Sequence, residues 1–133
     1  IAKALRGNRV LTNLSLSDNR IGLTGATALA DALKVNGVLT ELDLNANKID
    51  DEGAAALAST LGVNRVMKEL NLSFNRIGDE GAVALGNALE VNGVLKNIDL
   101  SYNNLGDDGA RALVDAVSGR EGFVLEIEME DSD

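Results

Sequence analysis

The sequence has 133 residues, 45% of them hydrophobic, which is enough for one domain with its own core and short for two. It has no cysteine and no histidine, which excludes disulfides, thiolate nucleophiles and sites that depend on an imidazole base or ligand. The formal charge is −9, so a nucleic-acid partner is not expected. No apolar run approaches the roughly 20 residues that span a bilayer, so no membrane insertion is expected either.

A repeat of 28 residues runs through the sequence. Four consecutive copies occupy residues 11–38, 39–66, 67–94 and 95–122. Residues 1–10 match the end of a repeat and are expected to be a partial copy that starts within a helix. Residues 123–133 depart from the pattern and are predicted to form a C-terminal capping strand followed by an acidic tail. The sequence therefore predicts one repeat domain over residues 1–133.

Each copy changes its hydrophobic spacing partway through, which predicts a short strand followed by a helix. In the first copy Leu14 and Leu16 alternate with polar residues, and Leu29 and Leu33 then follow a helical spacing. Along the chain, strands are predicted at about 13–17, 41–45, 69–73, 97–101 and 124–129, and helices at about 25–35, 53–62, 81–91 and 109–118. The predicted N-cap residues of the last three helices are Asp51, Asp79 and Asp107.

The repeat resembles leucine-rich repeats of the long, ribonuclease-inhibitor-like class. Leu11, Leu14, Leu16 and Asn19 match the pattern LxxLxLxxN, and the other copies keep the same frame. The resemblance implies an α/β leucine-rich-repeat solenoid, a horseshoe segment with parallel strands on the concave face and helices on the convex face. It also implies a ladder of buried asparagines in the turns, formed by Asn19, Asn47, Asn75 and Asn103.

The resemblance also carries an expectation about location. Plant-type extracellular members of the family have shorter repeats that contain proline and are closed by disulfide-bonded caps, whereas this sequence has neither proline nor cysteine. An intracellular, cytoplasmic protein is therefore expected, and an organelle stays open as an alternative.

The outward positions of the strands are the expected working surface of such a horseshoe. Glu41 and Glu69 should be close neighbours, because adjacent strands lie about 4.8 Å apart, and the fold does not require that proximity. Two interpretations of these acids stay open. They form a surface that binds a basic partner, or they are solvated charges relieved by nearby Lys68 or Lys96. The outward residues form two columns across the strands. The middle column is Ser15, Asp43, Asn71, Asp99 and Glu126, and the column beside it is Asn13, Glu41, Glu69 and Asn97.

Two of the three aromatic residues, Phe74 and Tyr102, fall at one exposed position of adjacent repeats. Rigid aromatic side chains are common anchors of protein interfaces, although the rings could also simply lie along the turn. With the acidic columns they give the candidate partner-binding residues, which are Phe74, Tyr102, Glu41, Asp43, Glu69, Asn71, Asp99 and Glu126.

The favoured function is a non-enzymatic protein-interaction module that presents a rigid acidic concave surface to a protein with a basic surface. No catalytic residue, metal site or cofactor is predicted, because the acidic clusters such as Asp50-Asp51-Glu52 already suit helix starts. Two alternatives stay open. One is a structural subunit or docking segment of a larger assembly, and the other is a regulatory repeat region of a GTPase-activating protein or nucleotide-binding receptor, which this repeat class resembles.

The N-terminal end should not face water in the working protein. The first full repeat is covered only by residues 1–10, which carry Ile1 and Leu5, and the strand at 13–17 has no preceding neighbour. The chain also begins at Ile1 rather than methionine. We therefore expect this end to pack against further chain or another subunit.

Overall fold

The structure is a computed structural model that describes residues 1–129, in which helices and strands alternate along the chain. The predicted acidic tail, residues 131–133, lies outside the described residues, and the division into repeats and a cap stays a prediction. The helices are α1 (Ala2–Gly7), α2 (Gly22–Leu33), α3 (Asp51–Leu61), α4 (Asp79–Val91) and α5 (Asp107–Val117). The strands are β1 (Asn13–Ser15), β2 (Glu41–Asp43), β3 (Glu69–Asn71), β4 (Asn97–Asp99) and β5 (Val124–Glu126).

The five strands form one parallel sheet in the order β1-β2-β3-β4-β5, and each helix packs against the helix of the next repeat. The predicted α/β solenoid is therefore confirmed. The strands start where predicted, but each has three residues and ends earlier than predicted. After β1 to β4 the chain enters a left-handed turn, at Asp18, Ala46, Phe74 and Tyr102. Backbone bonds between repeats continue into that turn, as between the Leu16 N–H and the Asp43 carbonyl at 2.9 Å.

The core lies between the sheet and the helices and is built from the leucine frame. Leu42, Leu44, Leu70 and Leu72 are at most 2% exposed, which follows from the strand alternation that points one face inward. Burial of each such side chain is worth about 2 kcal/mol. The opposite, polar face of the strands is thereby fixed toward the concave side.

The helices begin two or three residues earlier than predicted, and the N-cap assignment is wrong. Asp51, Asp79 and Asp107 are the first helical residues, and the residues before them are the caps. Only Asp50 among these caps bonds its own helix through a side chain, accepting from the Gly53 N–H at 3.1 Å. The carboxylates of Asp51 and Asp79 instead bond into the following repeat.

The expected asparagine ladder is present but not buried throughout. The Asn75 Oδ1 accepts from the N–H groups of Asn47 and Ile49, both at 2.9 Å, and its Nδ2 donates to the Leu44 carbonyl at 3.1 Å. Asn19 is exposed and Asn103 is half-buried, because these two lie toward the ends of the described stack. The ladder thus ties each repeat to the one before it.

A second ladder, which the sequence analysis does not include, follows the helices. The Asn64 Nδ2 donates to the Leu33 carbonyl at 2.9 Å, and its Oδ1 accepts from the Met67 N–H at 2.8 Å. In the fourth repeat Arg120 takes the equivalent place, donates to the Leu89 carbonyl at 3.1 Å and stacks over the ring of Phe123. The members of the ladder are Asn36, Asn64, Asn92 and, by substitution, Arg120.

No helix within residues 1–129 is long and apolar enough to cross a membrane. In the same part of the chain, no three side chains of the types His, Cys, Asp or Glu come close enough to share a metal ion.

Candidate functional site

The register of the sheet aligns the outward residues into the predicted columns. Glu41 pairs with Glu69, and Asp43 pairs with Asn71. The middle column continues without a break, because Asn71 pairs with Asp99 and Asp99 pairs with Glu126. Neighbouring polar side chains in each column are therefore separated by one strand spacing along the concave face.

Among the described residues, the acids of this face form no ion pair with a basic side chain. Within residues 1–129, no lysine or arginine nitrogen lies within 4.0 Å of these carboxylates, and the ion pair found there is Lys34 with Asp31 on α2. The Glu41 carboxylate accepts one hydrogen bond, from the Asn13 Nδ2 at 2.6 Å. The alternative that Lys68 and Lys96 relieve the charge is thus not supported by an ion pair.

The middle column also has a structural role that the sequence analysis missed. The Asp43 Oδ1 accepts from the Asn45 N–H at 3.0 Å, and the Asp99 Oδ1 accepts from the Ser101 N–H at 2.9 Å. Such bonds to the residue two positions on stabilise a turn. Charge at Glu41 and Glu69 can therefore be changed with less effect on the fold than charge in the middle column.

The last two strands bring two carboxyl groups into contact. The hydrogen bond with the Asp99 carboxyl raises the pKa of Glu126, and the negative charge of Asp99, burial and the charge of Glu128 raise it further. The Glu126 carboxyl therefore keeps its proton to a higher pH than an isolated glutamate does.

Phe74 and Tyr102 form a stacked pair, with ring centroids 4.6 Å apart and planes inclined by 16°. Phe74 is 57% exposed, whereas Tyr102 is half-buried and donates its hydroxyl to the Glu128 carboxylate at 2.9 Å. Both have positive φ, 56° and 59°, and the same turn conformation occurs at Asp18 and Ala46. The turn thus requires this backbone conformation, but it does not require an aromatic residue, because aspartate and alanine occupy the same position in the first two repeats.

A pocket of about 630 Å³ lies beside the aromatic pair. Asp99 and Glu126 line it and also line the groove along the acidic columns, so the two form one continuous surface. The pocket is lined by Ser73, Phe74, Asp99, Ser101, Tyr102, Leu125, Glu126, Ile127 and Glu128.

All eight residues predicted as the candidate site lie on this surface, which we call the acidic–aromatic face. The structure adds Glu128, whose backbone N–H donates to the Ser101 hydroxyl at 3.0 Å and whose carboxylate holds the Tyr102 ring. The alternation of acids in the last strand contained a signal for Glu128, but its approach to Tyr102 depends on the path of the chain after β5.

Comparison with solved structures finds the same fold in a leiomodin and a tropomodulin structure. The "Leiomodin-1 Actin-Binding Site 2 (ABS2)" structure matches with a TM-score of 0.85 and 21% identity, over 98% of this chain and 78% of that one. The Caenorhabditis elegans tropomodulin C-terminal domain matches with a TM-score of 0.82 and 15% identity, over 99% and 81% of the two chains. At these identities the likeness shows the fold alone.

Comparison with curated proteins gives no match. The family model described as "Leucine Rich repeat" matches residues 7–30, 35–58, 63–86 and 91–114, which is most of the sequence and repeats at the same 28-residue interval. The chain belongs to the leucine-rich repeat family.

Proposed function

We propose that the chain is a non-enzymatic protein-interaction module whose acidic–aromatic face binds a protein with a basic surface. The observation that carries the proposal is that carboxylates without an ion pair among the described residues and a stacked aromatic pair with an exposed Phe74 ring share one surface. Exposed aromatic area supplies contact energy, and unpaired charge supplies selectivity and a faster encounter. The repeat scaffold supplies rigidity, so little conformational entropy is lost on binding.

The aromatic pair is the expected anchor of this interface. Replacing Phe74 and Tyr102 together by alanine should weaken partner capture much more than it weakens folding, because Phe74 is mostly exposed. The parent and the double variant are used as baits in the same lysate, and bound proteins are quantified by mass spectrometry. A partner recovered equally by both baits would remove the aromatic pair from the proposal.

Actin is one defined protein to include in that experiment, because the leiomodin-1 structure with this fold is named as an actin-binding site. The shared fold at 21% identity does not carry the partner over, so the test must stand alone. Co-sedimentation with filaments and native electrophoresis with monomers cover both states of actin. Binding that is lost in the double variant would support actin, and no binding would leave the capture experiment to identify the partner.

The alternative of a subunit in a larger assembly has one observation in its favour. β1 pairs only with β2 among the described residues, and Ile1 and Val10 are 73% and 85% exposed. An unpaired strand edge beside apolar surface favours contact with further chain or another subunit. Hydrogen exchange supports this proposal if residues 1–17 gain protection in the native assembly, and equal, fast exchange in both states contradicts it.

A further inference from the structure

The last residues of each helix and the loop to the next strand lie together along one edge of the sheet. All five strands are parallel and therefore begin at the same edge, so each of these segments returns the chain to it. We call this surface the helix-end edge. It consists of residues 6–12, 34–40, 62–68, 90–96 and 118–123.

The helix-end edge is basic although the whole chain is acidic. Its five segments hold seven of the 12 basic residues of the sequence and two of the 21 acidic residues. Apart from Arg120, which is half-buried, all nine charged residues are exposed. The basic residues are Arg6, Arg9, Lys34, Arg65, Lys68, Lys96 and Arg120, and the acidic residues are Glu90 and Glu121.

The helices account for only part of this positive charge. Arg65 donates to the Leu61 carbonyl at the end of α3 at 3.3 Å, and Lys34 lies 4.0 Å from Asp31 on α2. Positive charge near a helix C-terminus is favourable in itself. Three other basic residues lie in the loops, are exposed, and form no side-chain hydrogen bond or ion pair within residues 1–129. They are Arg9, Lys68 and Lys96.

A row of exposed valines runs along the same edge. Val35, Val63 and Val91 occupy one position in three consecutive repeats and are 57%, 59% and 63% exposed. The fold does not require valine there, because Gly7 and Gly119 occupy the same position at the two ends of the stack. Aligned apolar side chains that remain exposed indicate a contact surface. The valine row is therefore an apolar strip on a basic edge.

The apolar and the basic side chains meet in one pocket of this edge. Arg6 and Arg9 line it on one side, and Val35 and Val38 belong to the loop on the other side. A ligand that covers the valine row therefore comes close to basic groups. That arrangement favours a ligand with both apolar and acidic groups.

The spacing of the valine row suits an α-helix. Each helix of the chain packs against the helix of the next repeat, and packed helices lie about 8–10 Å apart. A helix rises about 10.5 Å in seven residues, so an apolar residue at every seventh position meets one valine after another. An extended strand covers about 10 Å in three residues, after which its side chain points to the opposite face.

We propose that the helix-end edge docks an acidic amphipathic helix of a partner protein. Apolar residues of that helix lie on the valine row, and its carboxylates face the exposed basic residues of the loops. An anionic membrane surface fits less well, because surfaces that bind membranes insert tryptophan, phenylalanine or leucine. This site lies on a different edge from the acidic–aromatic face and does not depend on the function proposed for that face.

The test uses two helical peptides held by the same hydrocarbon staple, so that both are helical whatever their charge. Both have leucine at every seventh position, and the flanking residues are glutamate in one and lysine in the other. Affinity is measured from the amide signals of Val35, Val63 and Val91 in the ¹⁵N-labelled chain, so binding elsewhere does not count. The acidic peptide should shift these signals along saturable curves and bind at least about tenfold more tightly than the basic peptide. No saturable shift, or equal affinity of both peptides, would overturn the proposal.

A triple variant tests the valine row. Val35→Thr with Val63→Thr and Val91→Thr keeps the shape of the exposed side chains, so the urea midpoint should stay close to that of the parent. Affinity for the acidic peptide should fall about tenfold, because the apolar contact is lost. Parental affinity in this variant would overturn the role of the valine row.

A double variant tests the charge. Lys68→Gln with Lys96→Gln should weaken binding of the acidic peptide at low salt and have a smaller effect at high salt. The matched control is Arg76→Gln with Arg111→Gln, which removes the same charge from exposed positions outside the helix-end edge and should bind as the parent does. Equal losses in the two double variants would contradict a local charge contact.

Two measurements identify a different occupant of this edge. The first is binding to vesicles of phosphatidylcholine and phosphatidylserine, and the second is self-association of the chain by sedimentation equilibrium. Vesicle binding that the triple valine variant loses, without binding of the acidic peptide, would overturn the proposal in favour of a membrane surface. Self-association that this variant loses, again without peptide binding, would overturn it in favour of a second copy.

Discussion

The carboxylate of Asp51 caps the helix that begins at Asp79, one repeat further along the chain. Its Oδ1 accepts from the N–H of Gly78 at 2.6 Å and from the N–H of Gly81 at 3.0 Å. A Cβ atom at Gly81 would lie 2.8 Å from that oxygen, so the close approach requires glycine there. Asp79 bonds Gly106 and Gly109 in the same way. The caps of α4 and α5 therefore link neighbouring repeats, whereas Asp50 caps its own helix α3.

Asp51→Ala should lower the free energy of unfolding by about 1 kcal/mol, the usual effect of losing a helix cap. Asp107→Ala is the matched control, because Asp107 occupies the same position in α5 and accepts no hydrogen bond among the described residues. Both variants lose the same favourable charge in the first helical turn. Urea midpoints decide between them, and equal losses would show that the inter-repeat cap does not stabilise the fold.

Asn75→Ala should destabilise the fold by roughly 1–3 kcal/mol, because buried backbone groups of two repeats lose their partner. Asn75 is 7% exposed and accepts from two N–H groups. Asn19→Ala serves as the comparison, since Asn19 is exposed and, among the described residues, its side chain bonds only the Leu16 and Ser17 carbonyls of its own turn. A denaturant midpoint for the Asn75 variant that matches the parent would mean that the ladder contributes nothing.

Much of this fold could be predicted because its signal repeats. The leucine frame predicted the first four strand starts and their parallel register, which places Glu41 beside Glu69. The fifth strand leaves the 28-residue frame and was predicted from its own alternation, which places Glu126 beside Asp99. The helix starts were wrong for a specific reason. An aspartate before Gly-Ala suits a cap within one repeat, whereas Asp51 reaches across to the next one, and that reach depends on the stacking distance.

The alignment of the site residues in columns could be predicted from the sequence, but the contacts between their side chains could not. Sequence spacing placed Phe74 and Tyr102 at equivalent positions, and the stacking of their rings follows from side-chain rotamers that spacing does not contain. The pocket depends further on the path after β5, which leaves the repeat frame and brings Glu128 to the Tyr102 hydroxyl. The second ladder was not predicted at any of its positions, and Arg120 performs there by substitution what asparagine performs in the other repeats.

Phe74→Asn should separate binding from stability. Asparagine tolerates the positive φ of this turn better than a bulky residue does, so relief of backbone strain should offset the lost ring contact to within about 1 kcal/mol. Partner binding should fall, because the exposed ring is gone. Thermal unfolding and an affinity measurement are made on the same samples, and a variant that loses stability in proportion to binding would indicate a structural role for the ring.

Glu126 should make stability depend on pH in a defined direction. Because its pKa is raised in the folded chain, the folded state binds more protons than the unfolded state above the ordinary value of 4.5. The stability that this group contributes is full below the unfolded pKa and is lost as pH rises through the raised one. Glutamine at position 126 does not titrate. As pH rises from the unfolded pKa through the raised one, the urea midpoint of Glu126→Gln should therefore increase relative to that of the parent. A constant difference would contradict the Asp99–Glu126 contact.

The central claim is that the acidic–aromatic face binds a protein through its charge and aromatic pair. Its most direct test is the dissociation constant of the captured partner for the double variant Glu41→Gln with Glu69→Gln, beside a control of equal net charge, Glu90→Gln with Asp115→Asn, on the helices. The account predicts that the first double variant binds about tenfold more weakly at low salt, with a smaller difference at high salt, and that the control binds as the parent does. Equal affinity of both double variants, or a loss confined to the helix control, would contradict it.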